Sequence, residues 1–239
     1  MITINDLSFK YGKKEVLNDI SMKLEAGKIY GLLGENGVGK TTLLKIISGL
    51  QKPWKGSCSV FGEDPFKRTP SFLSRIFYLP EELEFIQHDY SISYFAKINA
   101  PFYPKFDKEK FESILKEFEV EGDKKLNKLS YGQMKKAVLS FAIATNAELL
   151  LLDELGYLPI DKRGADLMFQ VVAARYECGS IVLTTNRIFR EWGKIFDVDN
   201  TLATAMIDRL MHHGEAILID GKSYRTGEGD EPVTSPPSP

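Results

Sequence analysis

The 239-residue sequence predicts an α/β fold with a mostly parallel sheet and helices on both faces. Three observations carry this. A short apolar run, Lys28 to Leu33, ends in a glycine-rich turn that opens a helix. Leu149 to Leu152 is four leucines in a row, too short for a helix and suited to a central parallel strand. Ser180 to Thr185 is a further buried-strand pattern. Strand, glycine turn, helix, and then strands alternating with helices is the order that builds such a sheet.

In chain order, Ile2-Thr3-Ile4 alternates and continues to Leu7 and Phe9, as a half-buried strand does, and Val16 to Leu24 repeats the rhythm. Thr41 to Leu50 reads as a helix stopped by Gly49 and Pro53. From Pro80 to Phe118 the text turns helical and aromatic. Phe95, Phe102, Phe106, Phe111, Ile114, Leu115 and Phe118 are expected to pack in a core. Ser130 is expected to cap a helix running to Ala144, and Ala165 to Tyr176 to form another. From Thr226 the chain is rich in Gly, Pro, Ser and acid, and residues 227–239 are expected to be a disordered tail.

Composition narrows the function classes. Hydrophobic residues make up 43% and charged residues 27%, as in a soluble domain, and the net charge of -2 gives no overall basic field for nucleic acid. Cys58 and Cys178 lack metal-ligand spacing and read as reduced, buried thiols. Met1 to Lys10 lacks a basic start followed by an apolar run, so no signal peptide is expected. The most apolar stretch, Ala137 to Leu152, is broken by Asn146 and Glu148, so direct membrane insertion is not expected. The expected location is cytoplasmic, with any membrane link made through a partner at the inner face.

Gly34-Glu35-Asn36-Gly37-Val38-Gly39-Lys40-Thr41 fits the phosphate-loop pattern G-x-x-x-x-G-K-[ST], between a strand and a helix as that pattern requires. Glycines let backbone N–H groups turn inward around phosphate oxygens, and the helix start adds positive partial charge. Lys40 is expected on the β- and γ-phosphates of ATP and the Thr41 hydroxyl on Mg²⁺, with Thr42 beside them. The second half is Glu148 to Glu154, an apolar strand ending in two acids. Asp153 is expected near the metal, and Glu154 to polarise the attacking water.

From Met1 to Glu154 the chain resembles the ATP-binding subunit of an ABC transporter. Phe9-Lys10-Tyr11-Gly12 places Tyr11 where that family stacks an aromatic on adenine. Leu129-Ser130-Tyr131-Gly132-Gln133 looks like the LSGGQ signature with Tyr131 at the first glycine. The resemblance implies a three-layer P-loop NTPase fold, N-terminal antiparallel strands and a helical subdomain inserted between Lys40 and Asp153. It also implies that Ser130, Gly132 and Gln133 meet the nucleotide of a second subunit, and that a membrane permease is the partner. After Leu79-Pro80 the family has a glutamine. Here Glu81 stands, still able to reach the metal shell through water.

After Glu154 the vocabulary changes. The proline and aspartate-bearing loop of the ABC family is replaced by Leu155-Gly156-Tyr157-Leu158-Pro159, and its switch histidine by Thr184-Thr185-Asn186-Arg187. From about Leu151 to Arg225 the chain resembles the IstB-type transposition helper, an AAA+ ATPase related to the helicase loader DnaC. The residues that carry this are Asp153 to Pro159, Arg163-Gly164-Ala165-Asp166, Gly179 to Arg187, Asp208-Arg209-Leu210 and Ser223-Tyr224-Arg225. That resemblance implies Asn186 as a γ-phosphate sensor, Arg209 as an arginine finger, Arg225 as a second sensor, and transposase and DNA as partners. Without the family pattern, Asn186 reads equally as a helix cap and the arginines as solvated charges. The chain therefore reads as a fusion: an ABC-type portion at 1–154, an IstB-like portion at 155–226 completing the core, and the tail. The functions in view are a Mg-ATP-binding ATPase of transporter type, a transposition helper ATPase, or a nucleotide-binding module with little turnover. Self-association belongs to each of the first two.

Overall fold

The computed structural model describes residues 1–83, 89–154, 179–185 and 214–219. Strands β1 (Ile2–Tyr11) and β2 (Lys14–Leu24) pair antiparallel. β4 (Lys55–Val60) joins the free edge of β1, giving the sheet order β2-β1-β4. A second sheet has the order β5-β6-β7-β3-β8, from β3 (Ile29–Leu33), β5 (Ile76–Leu79), β6 (Leu149–Leu152), β7 (Ser180–Thr185) and β8 (Gly214–Leu218). All its pairings are parallel.

β6 and β7 are buried along their whole length, which explains the unbroken apolar text of β6 and the apolar centre Ile181-Val182-Leu183 of β7. Successive residues face opposite layers. Leu149 and Leu151 point toward the antiparallel sheet and helix α1 (Lys40–Ile47), and share a core with Ile4, Leu24 and Leu44. Leu150 and Leu152 point the other way, toward α3 (Ile92–Asn99), α4 (Lys108–Glu117) and α5 (Tyr131–Ala144). A short α2 (Pro70–Leu73) leads into β5. The helical layer centres on Phe141, whose ring lies 5.1 to 6.1 Å from those of Phe77, Phe95, Tyr103, Phe106 and Phe111. Such tilted and edge contacts add about 0.5–1.5 kcal/mol each beyond burial.

Phe111, Ile114, Leu115 and Phe118 are buried, and Phe95 and Phe106 pack against them. Phe102 departs from expectation at 69% exposed. It ends the 3₁₀ turn Ala100–Phe102 between α3 and α4, where helical periodicity no longer sets its direction. Ser130 caps α5 as expected, its Oγ accepting from Gln133 N at 3.2 Å while Gln133 Oε1 accepts from Ser130 N at 3.2 Å. Cys58 is buried, and burial pushes its thiol up to about 12. The helix expected at Ala165 to Tyr176, Cys178 and the expected tail lie outside the described residues. Among the described residues no helix is long and apolar enough to cross a membrane.

Candidate active site

The phosphate-loop segment leaves β3 at Leu33 and enters α1 at Lys40. Two of its glycines are required by their surroundings. Gly39 has φ 101°, and a Cβ there would lie 2.5 Å from Leu17 Cδ2. A Cβ on Gly34 would lie 2.5 Å from the Ile219 carbonyl oxygen, because Ile219 N donates to Leu33 O and holds the end of β8 against the loop. No side chain caps α1, so its first N–H groups remain available to an anion.

Lys40 is 3% exposed and donates to the Gly34 and Glu35 carbonyls at 2.8 and 2.9 Å. Its ammonium is 3.5 Å from Glu154 Oε1. Glu154 is 8% exposed, and its Oε2 is buried with no hydrogen-bond partner among the described residues. Burial holds this carboxyl above the usual carboxylate range. Lys40 opposes the shift, while Glu81 and Asp153 add to it. Glu154 also has φ 48°, a left-handed backbone that costs a non-glycine residue on the order of 1 kcal/mol.

Asp153 collects three hydroxyls. Oδ1 accepts from Thr41 Oγ1 at 3.0 Å and from Thr184 Oγ1 at 2.7 Å, and Oδ2 accepts from Tyr78 OH at 3.1 Å. Strand register brings them together: Leu79 pairs with Leu152, and Leu152 with Leu183, so Tyr78 and Thr184 flank the C-terminal end of β6. Burial, then the Asp153 carboxylate, pushes the Tyr78 phenol well up, which keeps it a donor.

Tyr11, Asn36, Gly37, Gly39, Lys40, Thr41, Thr42, Glu81 and Glu154 line one cleft of about 180 Å³. Tyr11 is 41% exposed, with its ring edge-on to Phe9 at 4.8 Å. Gly34, Glu35 and Val38 shape the loop beneath. Ser130, Gly132 and Gln133 stand at the start of α5, outside that cleft. Asn186, Arg209 and Arg225 lie outside the described residues. Sequence reading missed Tyr78, Thr184 and Lys135. Lys135 is 4% exposed, donates to Pro80 O at 3.0 Å, and is brought down to about 8 by burial. Tyr131, the departure within the signature-like segment, donates its hydroxyl to the Glu81 carbonyl. Two side chains of α5 thus grip the segment after β5 that lines the cleft.

This donor set suits a nucleotide with a hard cation. An uncapped helix start and a buried lysine face the loop, and a hydroxyl and a carboxylate meet 3.0 Å apart beside them. A buried carboxylate oxygen with no partner among the described residues belongs to the glutamate next to the lysine.

Comparison with known proteins divides along the chain. The family model described as ABC transporter matches residues 17–155. The one described as IstB-like ATP binding protein matches residues 123–231. The ABC transporter ATP-binding protein YtrB of Bacillus subtilis (strain 168) is 33% identical over 217 residues, covering 86% of this chain and 72% of that protein. The insertion sequence IS21 ATP-binding protein of Pseudomonas aeruginosa is 49% identical over 82 residues, 34% of this chain and 31% of that protein. The chain spans about a third of the length of the insertion-sequence relatives it matches. An ABC transporter ATP-binding protein of known structure from Pyrococcus furiosus superposes with a TM-score of 0.66 at 31% identity, over 78% of this chain and 92% of that one.

Proposed function

The chain belongs to the ABC transporter ATP-binding family, and from that premise we propose that it hydrolyses Mg-ATP at one site built from Lys40, Thr41, Asp153 and Glu154. The supporting observation is the meeting of the two halves of the motif: Thr41 Oγ1 lies 3.0 Å from Asp153 Oδ1, and Lys40 lies 3.5 Å from Glu154. Thr41 and Asp153 would hold Mg²⁺ together with the phosphates, and Mg²⁺ supplies neutralisation of the charge that develops on phosphoryl transfer. Lys40 exchanges its carbonyl partners for the β- and γ-phosphates. Tyr11 offers a face for adenine at the rim of the cleft. Glu81, which lines the same cleft, would reach the metal shell through water. Glu154 accepts the proton of the attacking water, a role suited to a carboxyl held above its ordinary range.

The proposed division is 1–154 for the ABC-type portion, 155–226 for the portion that completes the core, and 227–239 for the tail. A cytoplasmic location, peripheral at the inner membrane face, goes with a permease partner. A second reading is favoured by the 49% identity to the IS21 protein: a helper ATPase acting with transposase and DNA. Ser130, Gly132 and Gln133 serve the first reading, presented to the nucleotide of a second subunit. Asn186, Arg209 and Arg225 serve the second. A transporter-type dimer and a ring make different demands on the neighbouring subunit, so the chain is expected to turn ATP over slowly. The test is ATPase rate against protein concentration, with Ser130→Ala and Arg209→Ala beside wild type. A steep concentration dependence lost only in Ser130→Ala favours the dimer, and one lost only in Arg209→Ala favours the ring. A fast rate independent of concentration and indifferent to both changes refutes the proposal of two incomplete trans mechanisms.

A further inference from the structure

β7 is the strand between β6, which ends in the two acids, and β3, which feeds the phosphate loop. Its Thr184 has no exposed surface. A buried hydroxyl needs partners, and this one has two. Its single proton goes to Asp153 Oδ1 at 2.7 Å, and its oxygen accepts the Glu154 backbone N–H at 2.7 Å. One hydroxyl therefore bridges both acidic residues of the site. It orients the carboxylate of the first and ties the backbone of the second, at the residue whose φ is 48°. The other two donors to Asp153 differ in kind. Thr41 belongs to the phosphate loop, and Tyr78 reaches the opposite carboxylate oxygen. Thr184 hydrogen-bonds to Asp153 and Glu154 together. It also sits in the segment matched only by the IstB-like family model.

We propose that Thr184 is a positioning residue through which the C-terminal part of the chain sets metal use: its hydroxyl aims the Asp153 carboxylate and pins Glu154 in its left-handed backbone. This rests on the proposed Mg-ATP site. Thr184→Val keeps the shape and removes the bridge, and Thr184→Ser keeps the bridge. In Thr184→Val the Mg²⁺ concentration that half-saturates ATP binding is expected to rise about tenfold, and kcat to fall about tenfold or more, in line with loss of a hydrogen bond to a charged group. ATP affinity in EDTA is expected to stay at the wild-type value. In nucleotide-free protein the Glu154 amide is expected to exchange with solvent about tenfold faster. Thr184→Ser is expected to restore all three. Wild-type metal dependence and wild-type Glu154 exchange in Thr184→Val would overturn the assignment. Equal losses in the Val and Ser variants would do the same, since packing rather than the hydroxyl would then be at issue. Absence of any metal-dependent ATP affinity in the wild-type chain would count against the proposed function instead. The Glu154 amide, read without nucleotide, would then decide for or against the bridge.

Discussion

Replacing Lys40 by Met separates two roles of one buried cation. The Lys40 side chain is 3% exposed, and its ammonium lies 3.5 Å from the carboxylate of Glu154, a side chain 8% exposed with one oxygen unpartnered among the described residues. The Gly34 and Glu35 carbonyls it leaves behind sit at partly exposed positions and can turn to water, so their loss costs little. The Glu154 carboxylate cannot. Breaking a buried pair by removing one partner costs roughly 3–5 kcal/mol, but the carboxyl can take up a proton at about 1.4 kcal/mol per pKa unit, which limits the cost. About 2 kcal/mol at pH 8 is the expected destabilisation of the nucleotide-free protein. Its sign with pH follows from the direction of the shift. The folded-state pKa of Glu154 is already raised, and losing Lys40 raises it further. Below the wild-type value the carboxyl is neutral in both proteins and the difference vanishes; it grows as pH rises and levels off once the variant's carboxyl also ionises. Urea unfolding of wild type and Lys40→Met across pH, repeated in a Glu154→Gln background, measures it. A cost that is independent of pH, or undiminished when Glu154 is Gln, would refute the electrostatic reasoning. Separately, ATP affinity by calorimetry is expected to fall tenfold or more, about 1.4 kcal/mol or above.

Three further outcomes follow from the same geometry. Glu154→Gln keeps shape and loses the base, so ATP should still bind while steady-state hydrolysis drops about a hundredfold or more, read by phosphate release. Gly34→Ala drives a Cβ to 2.5 Å from the Ile219 carbonyl, a backbone atom with little freedom to move, and should cost about 2 kcal/mol in urea unfolding. Lys135 is held near 8 against an ordinary 10.5, so the folded state carries a cost for its charge below pH 8 that fades as pH rises toward 10.5. The stability of wild type relative to Lys135→Met should therefore improve between pH 8 and pH 10.5, and a flat difference in unfolding midpoints would contradict the assignment.

The phosphate loop was legible because its chemistry is local: glycine spacing, a lysine and a threonine all lie within one turn of chain. The sheet was legible because strands buried on both faces leave apolar runs, Leu149–Leu152 in β6 and Ile181-Val182-Leu183 in β7. What joins them was not. Thr184 and Tyr78 reach Asp153 only through the registers of β7 and β5 on β6, and register is a long-range property that no local pattern writes. A retrospective signal existed in each case. Thr184 is a hydroxyl in an apolar strand, and Tyr78 a phenol in another, and buried polar tips require partners. Tyr131 was legible as a departure from a signature, yet its bond to the Glu81 carbonyl depends on how α5 packs beside the end of β5. Phe102 was misplaced in the core because aromatic content was extended through a turn where α-helical periodicity had ended.

The most direct measurement is calorimetric titration of the full chain with a non-hydrolysable ATP analogue, with and without Mg²⁺, for wild type and Asp153→Asn. One nucleotide per chain is expected, with Mg²⁺ tightening wild-type binding about tenfold or more and Asp153→Asn losing that gain while binding normally in EDTA. A stoichiometry other than one, or a magnesium gain that survives Asp153→Asn, would contradict a single site closed by Thr41 and Asp153.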